Sequence, residues 1–217
     1  MVSSYSSRPA PAPPARLVGA LLLLAAGVFG GLLLAVLRVG NIPWDISILE
    51  FWHRHATPAL DRGAVLLTIV GNTWPMIGFG LLVFLGLLVR RRQRAAWVFF
   101  ASVGGSMLLT QVIKPLVARP RPALWASIRP EHTLSFPSGH AMDTAAIAAA
   151  LVFLVWGSRW RGWVWGLAPL FSLAVGWARI YLGVHNPSDV LAGWAAAVAW
   201  VAAVHWVARR TLSPPRA

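Results

Sequence analysis

Apolar residues run in long blocks separated by short polar stretches. The first block covers Leu17 to Leu37, and five more follow at Ala64–Val89, Ala95–Val117, Ala141–Trp156, Trp163–Ala178 and Val190–Ala208. A helix of about 21 residues, rising ~1.5 Å per residue, crosses a ~30 Å hydrocarbon layer. The fourth and fifth blocks are short as counted and need turns from their flanks. Between the first two blocks, Asp45 to Ala56 places Ile46, Leu49, Trp52 and His53 at helical spacing, the pattern of a helix lying on a membrane surface. The expectation is an all-α, polytopic membrane protein of six transmembrane helices plus a short interfacial helix. Residues 1–16, rich in Ser, Pro, Ala and Arg, read as a flexible cytoplasmic tail. Residues 17–210 form the six-helix membrane domain, and 211–217 a C-terminal cytoplasmic tail. No small-x-small cleavage site follows the first block, so it reads as a retained helix and not as a cleaved signal.

Composition supports this class. Of 217 residues, 58% are hydrophobic and only 12% charged, about half the usual charged share of a soluble domain. The chain has no cysteine, which removes disulfides, thiolate metal sites and redox motifs. The formal net charge of +13 sits beside apolar spans, which fits membrane topology and argues against nucleic acid as a partner. Arg90, Arg91, Arg92, Arg94, Arg159 and Arg161 lie in the loops on one side, together with the basic residues of both tails. All six acids fall on the other. The positive-inside rule then puts both termini in the cytoplasm of a cell membrane. The use of arginine over lysine fits a bacterium with a GC-rich genome.

The polar chemistry gathers in three segments, each at the outer end of an apolar block. Lys114, the only lysine, begins the first and Arg121-Pro122 closes it. Pro137-Ser138-Gly139-His140 opens the fourth block. Ser138 is placed to cap that helix, whose free N–H groups attract an anion, and Gly139 lets the backbone approach a ligand. The third segment runs from Arg179 to Asp189. His185 lies just before a helix start marked by Asn186-Pro187, and Asp189, four residues on, can hold one ring nitrogen while the other faces a substrate. This is the pairing of a nucleophile or base with its orienter. Arg179 can aim a planar fork at phosphate oxygens. Three basic groups, two histidines and a carboxylate describe a site for a phosphate monoester or anhydride. Asp143 shares a helix face with His140 and either tunes it or lines a polar mouth. Arg119, Arg129, Glu131 and His132 lie within reach of a head group but read first as solvated loop charges.

Taken together the three segments resemble the signature of the type 2 phosphatidic acid phosphatase superfamily, in its integral-membrane lipid phosphatase branch. That signature runs Lys, six residues, Arg-Pro; then Pro-Ser-Gly-His; then Ser-Arg, five residues, His, three residues, Asp. Lys114, Arg121 and Pro122 match the first part, Pro137 to His140 the second, and Arg179, His185 and Asp189 the third. One position departs: Ala178 stands where the pattern has Ser.

The resemblance implies a hydrolase whose His185 attacks phosphorus to give a phosphohistidine. Asp189 would orient His185, and His140 would protonate the leaving oxygen and then activate water. Lys114, Arg121, Arg179 and the Ser138–Gly139 backbone would hold the equatorial oxygens. No metal or other cofactor is implied. The partners implied are the membrane and a lipid phosphate or pyrophosphate, such as undecaprenyl pyrophosphate, phosphatidic acid or phosphatidylglycerol phosphate. A phosphotransferase using the same site is the nearest rival; a lipid transporter or scaffold would have no use for the paired histidines.

Overall fold

The computed structural model describes residues 12–211, and the terminal stretches 1–11 and 212–217 lie outside that description. So do most of the two expected tails. Among the described residues the secondary structure is entirely helical. The helices are α1 (Ala15–Val39), α2 (Pro43–Arg54), α3 (Pro58–Val70), α4 (Thr73–Val89), α5 (Gln93–Val117), α6 (Gly139–Leu154), α7 (Arg161–Tyr181) and α8 (Pro187–Thr211).

Four of them, α1, α5, α7 and α8, are long and apolar enough to cross a membrane, and α3 with α4 forms a fifth candidate bent by 49°. The sequence pattern predicts one continuous helix over that last pair. The structure breaks it at Gly71-Asn72. Gly71 closes α3 through its N–H on the Leu67 carbonyl, and the Asn72 side chain accepts from the Trp74 N–H to start α4. A side-chain cap inside an apolar run restarts the helix in a new direction.

The buried centre is α6, which packs against α5, α7 and α8 and touches α4. Its 16 residues include Ala141, Ala145, Ala146, Ala148 and Ala150, small enough for neighbouring backbones to come close on every side. Gly193 of α8 shows how close. A Cβ there would stand 2.8 Å from the Ser138 carbonyl oxygen and 3.3 Å from Ala141 Cβ. The first turn of α6 therefore rests directly on α8. Around this centre, α1 lies along α8, α3 along α7, and α4 along α5 and α6. Large apolar side chains such as Leu23, Leu82, Leu108 and Leu170 point outward, as expected where the surrounding solvent is hydrocarbon.

The stretch expected to lie on the membrane surface is helical, as α2, but one residue behaves unlike the rest. Leu49 is buried as expected, and Asp45, in the first turn, is buried completely. A carboxylate so placed needs compensation, and its partners lie in the site.

Candidate active site

The chain leaves α5 through Ala118, whose left-handed φ of 49° closes the helix with its N–H on the Lys114 carbonyl. The next residue, Arg119, turns inward and is 4% exposed. This overturns its reading as a solvated loop charge. Its Nη1 donates to Asp189 Oδ1 at 2.6 Å and to Ser188 Oγ at 2.8 Å, and its Nη2 donates to Asp45 Oδ2 at 3.0 Å. Asp45 in turn accepts from the Ser188 N–H at 2.8 Å and the Ser188 hydroxyl at 2.5 Å. One guanidinium thus compensates two buried carboxylates, and the N-terminal N–H of α8 completes the set.

Asp189 and His185 are close, as their spacing predicts, but a third residue stands between them. His185 Nδ1 is 3.6 Å from Asp189 Oδ2 and 3.4 Å from Ser135 Oγ, and Ser135 Oγ donates to that same Asp189 oxygen at 2.5 Å. On the other side of the ring, Arg121 Nη1 lies 2.9 Å from His185 Nε2. Arginine has no acceptor, so Nε2 must present its lone pair and Nδ1 must carry the proton. Burial, reinforced by the neighbouring Arg121 guanidinium, holds the His185 imidazole well below the usual histidine value. The ring is neutral, with an unprotonated Nε2 facing cations.

The loop from 118 to 138 carries several of these contacts. Arg121 also donates to the Thr133 carbonyl at 2.6 Å, the Thr133 hydroxyl at 2.8 Å and the Val184 carbonyl at 2.7 Å. Lys114 Nζ reaches the same Thr133 hydroxyl at 3.2 Å and the Leu134 carbonyl at 2.9 Å. Thr133 therefore ties the two cations together. Arg179, fully buried, donates to Thr68 and, at 2.8 Å, to Glu131. Glu131 is not the solvated charge that its loop position suggests: its carboxylate accepts from one nitrogen of the Arg179 fork. His132 is exposed, as that reading has it. Where α7 ends, the N–H groups of Val184 and His185 both reach the Arg179 carbonyl at 3.3 Å. The turn requires the positive φ of Gly183, 68°, and a Cβ there would meet the Trp125 ring at 2.6 Å.

The Pro-Ser-Gly-His segment joins this group through the Ser138 N–H, which donates to the Asp189 carbonyl at 3.0 Å. Ser138 has the extended backbone of an N-cap, but its hydroxyl makes no cap bond: Oγ is buried without a partner. The expected side-chain cap is thus absent, and the hydroxyl is left for other use. Gly139 and His140 open α6, and Asn72 Nδ2, at the α3–α4 break, lies 3.5 Å from His140 Nε2. Of the two readings of Asp143, pairing with the His140 ring is not what the structure shows. Asp143 is buried and accepts from Thr73 Oγ1 at 2.7 Å. The structure therefore gathers Lys114, Arg121, Ser138, His185 and Asp189 in one network, with Arg179 and His140 on adjoining helix ends. Ser135, Thr133, Asn72 and Thr73 were not legible in the pattern. Among the described residues, no group of three or more His, Cys, Asp or Glu side chains is placed to hold a metal ion.

This geometry agrees with what the chain resembles. The model of the PAP2 superfamily matches residues 95–212, more than half of the chain, and the chain belongs to that superfamily as a multi-pass membrane protein. Among its relatives, phosphatidylglycerophosphatase B of Bacillus subtilis is 28% identical over 143 residues, covering 64% of this chain and 70% of that protein. Decaprenylphosphoryl-5-phosphoribose phosphatase of Mycobacterium tuberculosis is 38% identical over 144 residues, covering 63% and 76%. The crystal structure of a transmembrane PAP2-type phosphatidylglycerolphosphate phosphatase from Bacillus subtilis superposes with a TM-score of 0.78 at 25% identity, covering 92% of this chain and 98% of that one.

Two outcomes follow from the site. Arg119→Ala leaves Asp45 and Asp189 buried without their cation, so unfolding in detergent should show a loss of about 3–5 kcal/mol; Asp45→Asn should cost less. His185 sets a pH dependence of stability. Its folded value is depressed while the unfolded chain titrates near ~6.5, so acidification protonates the unfolded state first and stability falls as pH drops below that point. The same titration of His185→Asn should lack this component.

Proposed function

We propose that this chain is a membrane lipid phosphatase that cleaves a lipid phosphate or pyrophosphate through a phosphohistidine on His185. The observation that carries the reading is the Nε2 of a neutral, buried His185 facing Arg121. A phosphate drawn to Lys114, Arg121 and Arg179 takes over the Arg121 donor and receives the freed lone pair in line. The bond from Nε2 to phosphorus forms as the bond to the lipid oxygen breaks, and His140, entering as the imidazolium once the phosphate dianion lies beside it, supplies that oxygen with a proton. The Nδ1–H, through Ser135 to Asp189, steadies the positive charge on the ring. Water, deprotonated by His140, then cleaves the P–N bond and returns both histidines to their starting state. Ser138, with its unpartnered hydroxyl and the first N–H groups of α6, adds donors for the equatorial oxygens. Three side-chain cations furnish the positive charge that the transition state needs, so the reaction as proposed uses no metal.

The named activities of the relatives, on phosphatidylglycerophosphate, undecaprenyl diphosphate and decaprenylphosphoryl-5-phosphoribose, support the substrate class. We also propose six crossings, with α3 and α4 as one bent span and α6 as the shortest. The termini then lie in the cytoplasm and the site on the opposite face.

Purified protein incubated with a panel of these lipid phosphates, without an acceptor, should release inorganic phosphate, and should still do so in EDTA. His185→Ala should abolish release and His140→Ala reduce it severely. Near-normal turnover in His185→Ala would overturn the nucleophile, and dependence on added acceptor would make the protein a phosphotransferase. Topology is checked separately in this cysteine-free chain: a cysteine at Ala126 should react with an impermeant thiol reagent in intact cells, and one at Gln93 should not.

A further inference from the structure

The break between α3 and α4 sets three consecutive residues against three different partners. Gly71 meets α7: a Cβ there would stand 2.7 Å from both methyls of Val175. Thr73 donates to Asp143 of α6 at 2.7 Å. Between them, the Asn72 amide nitrogen lies 3.5 Å from His140 Nε2. A segment docked on both sides in this way leaves its middle side chain little freedom.

The direction of that amide follows from its other contact. Asn72 Oδ1 accepts from the Trp74 N–H at 3.2 Å, and a backbone N–H can only donate. The amide oxygen is therefore spent on Trp74, and the Nδ2 hydrogens are left for His140. An amide nitrogen has no lone pair to offer, so the Nε2 it faces is unprotonated in the resting ring. At 3.5 Å the two nitrogens are too far apart for a strong bond. They are well placed to share a third atom, since an oxygen about 3 Å from each completes a triangle.

We propose that Asn72 is a further catalytic residue, which holds the apical oxygen of the reaction: first the lipid oxygen that leaves, then the water that replaces it. The inference rests on the lipid phosphatase reading of this site. In the first step the bond from His185 Nε2 to phosphorus forms as the P–O bond breaks. The leaving oxygen accepts from Asn72 Nδ2–H and takes the proton on His140 Nε2. In the second step water at the same point accepts from Nδ2–H and gives a proton to His140 Nε2. Its oxygen bonds phosphorus as the P–N bond returns its electron pair to His185. Lys114, Arg121 and Arg179 serve the equatorial oxygens; the apical one has His140 and Asn72. A neutral donor suits that place, because it orients the oxygen without competing for the proton that His140 gives and takes.

Asn72 also caps α4, and one variant separates the two tasks. Serine is a good cap for the same backbone N–H, but its side chain is too short to reach His140. Asn72→Ser therefore keeps the helix start and removes the donor, whereas Asn72→Ala removes both. With the lipid phosphate of the panel that turns over fastest, Asn72→Ser should lower kcat about 100-fold and leave KM within about twofold of wild type, the pattern of a donor used in the transition state. Unfolding in detergent should leave Asn72→Ser near wild type and Asn72→Ala below it. Near-normal kcat in Asn72→Ser would reduce Asn72 to a cap and overturn the proposal, as would a raised KM with kcat unchanged.

The second measurement needs no turnover. Orthovanadate bonded to His185 takes a trigonal-bipyramidal shape, with an apical oxygen at the same point. Its binding, measured by calorimetry in detergent, should weaken about tenfold in Asn72→Ser. Equal affinity in the two proteins would overturn the proposal. If no lipid phosphate is hydrolysed but vanadate binding depends on Asn72, the phosphatase reading falls and the Asn72 contact stands. If the wild type neither turns over nor binds vanadate, both fall.

Discussion

The site is organised around a single guanidinium in a place that tolerates no unpaired charge. Arg119 sits between Asp45 and Asp189, both fully buried, one from α2 and one from the first turn of α8. Remove the cation and two carboxylates repel each other in a medium that cannot solvate them. With it, α2 is fixed against α8, and Asp189 has one oxygen occupied by Arg119. The other is left for Ser135, and through Ser135 for His185. The position of the His185 ring is therefore set from a helix that carries no part of the three-segment motif.

The same economy governs the three cations nearby. Lys114, Arg121 and Arg179 would repel one another if left bare. The structure separates them with backbone carbonyls, the Thr133 hydroxyl and the Glu131 carboxylate. Glu131 gives Arg179 the partner that a phosphate oxygen would give it. The donors are thus already aimed before a ligand arrives, which is the arrangement that makes electrostatic stabilisation effective.

Sequence spacing exposed the helices and the motif because both are local. Apolar blocks report spans, and His185 with Asp189 falls at four residues on the first turn of a helix. What stayed hidden depends on partners far apart in the chain. Ser135 looks like one more loop serine until α8 brings Asp189 to it. Arg119 carries the same charge as its neighbours, and its burial follows from Asp45, 74 residues away. The break at Gly71-Asn72 had a local signal, a glycine followed by a capping asparagine, but the hydrophobic run on both sides outweighed it. Asp143 shares the face of His140, and its spacing left open whether it meets that ring; Thr73, delivered by that same break, takes the hydrogen bond.

The loop between α5 and α6 is long and irregular, yet its ends are pinned together: the Ser135 N–H donates to the Arg119 carbonyl at 2.9 Å. Just inside this pinch, Arg121 on one arm and Thr133 on the other bond to each other and hold the two arms together. Segment 122–130, inside it, holds the body of the loop through Ser127 on the Leu182 carbonyl and Trp125 stacked on His53. Loop closure costs little more as a closed loop lengthens. Additions or deletions within that segment leave Arg119 and Ser135 in register but move Trp125 and Ser127, which pack on the Leu182-Gly183 turn that leads to His185. The pinch thus works together with the loop it encloses: Arg121, Glu131 and Thr133 lie inside it and touch His185, Arg179 and Lys114, so the loop is a strap laid over the histidine and fastened at both ends.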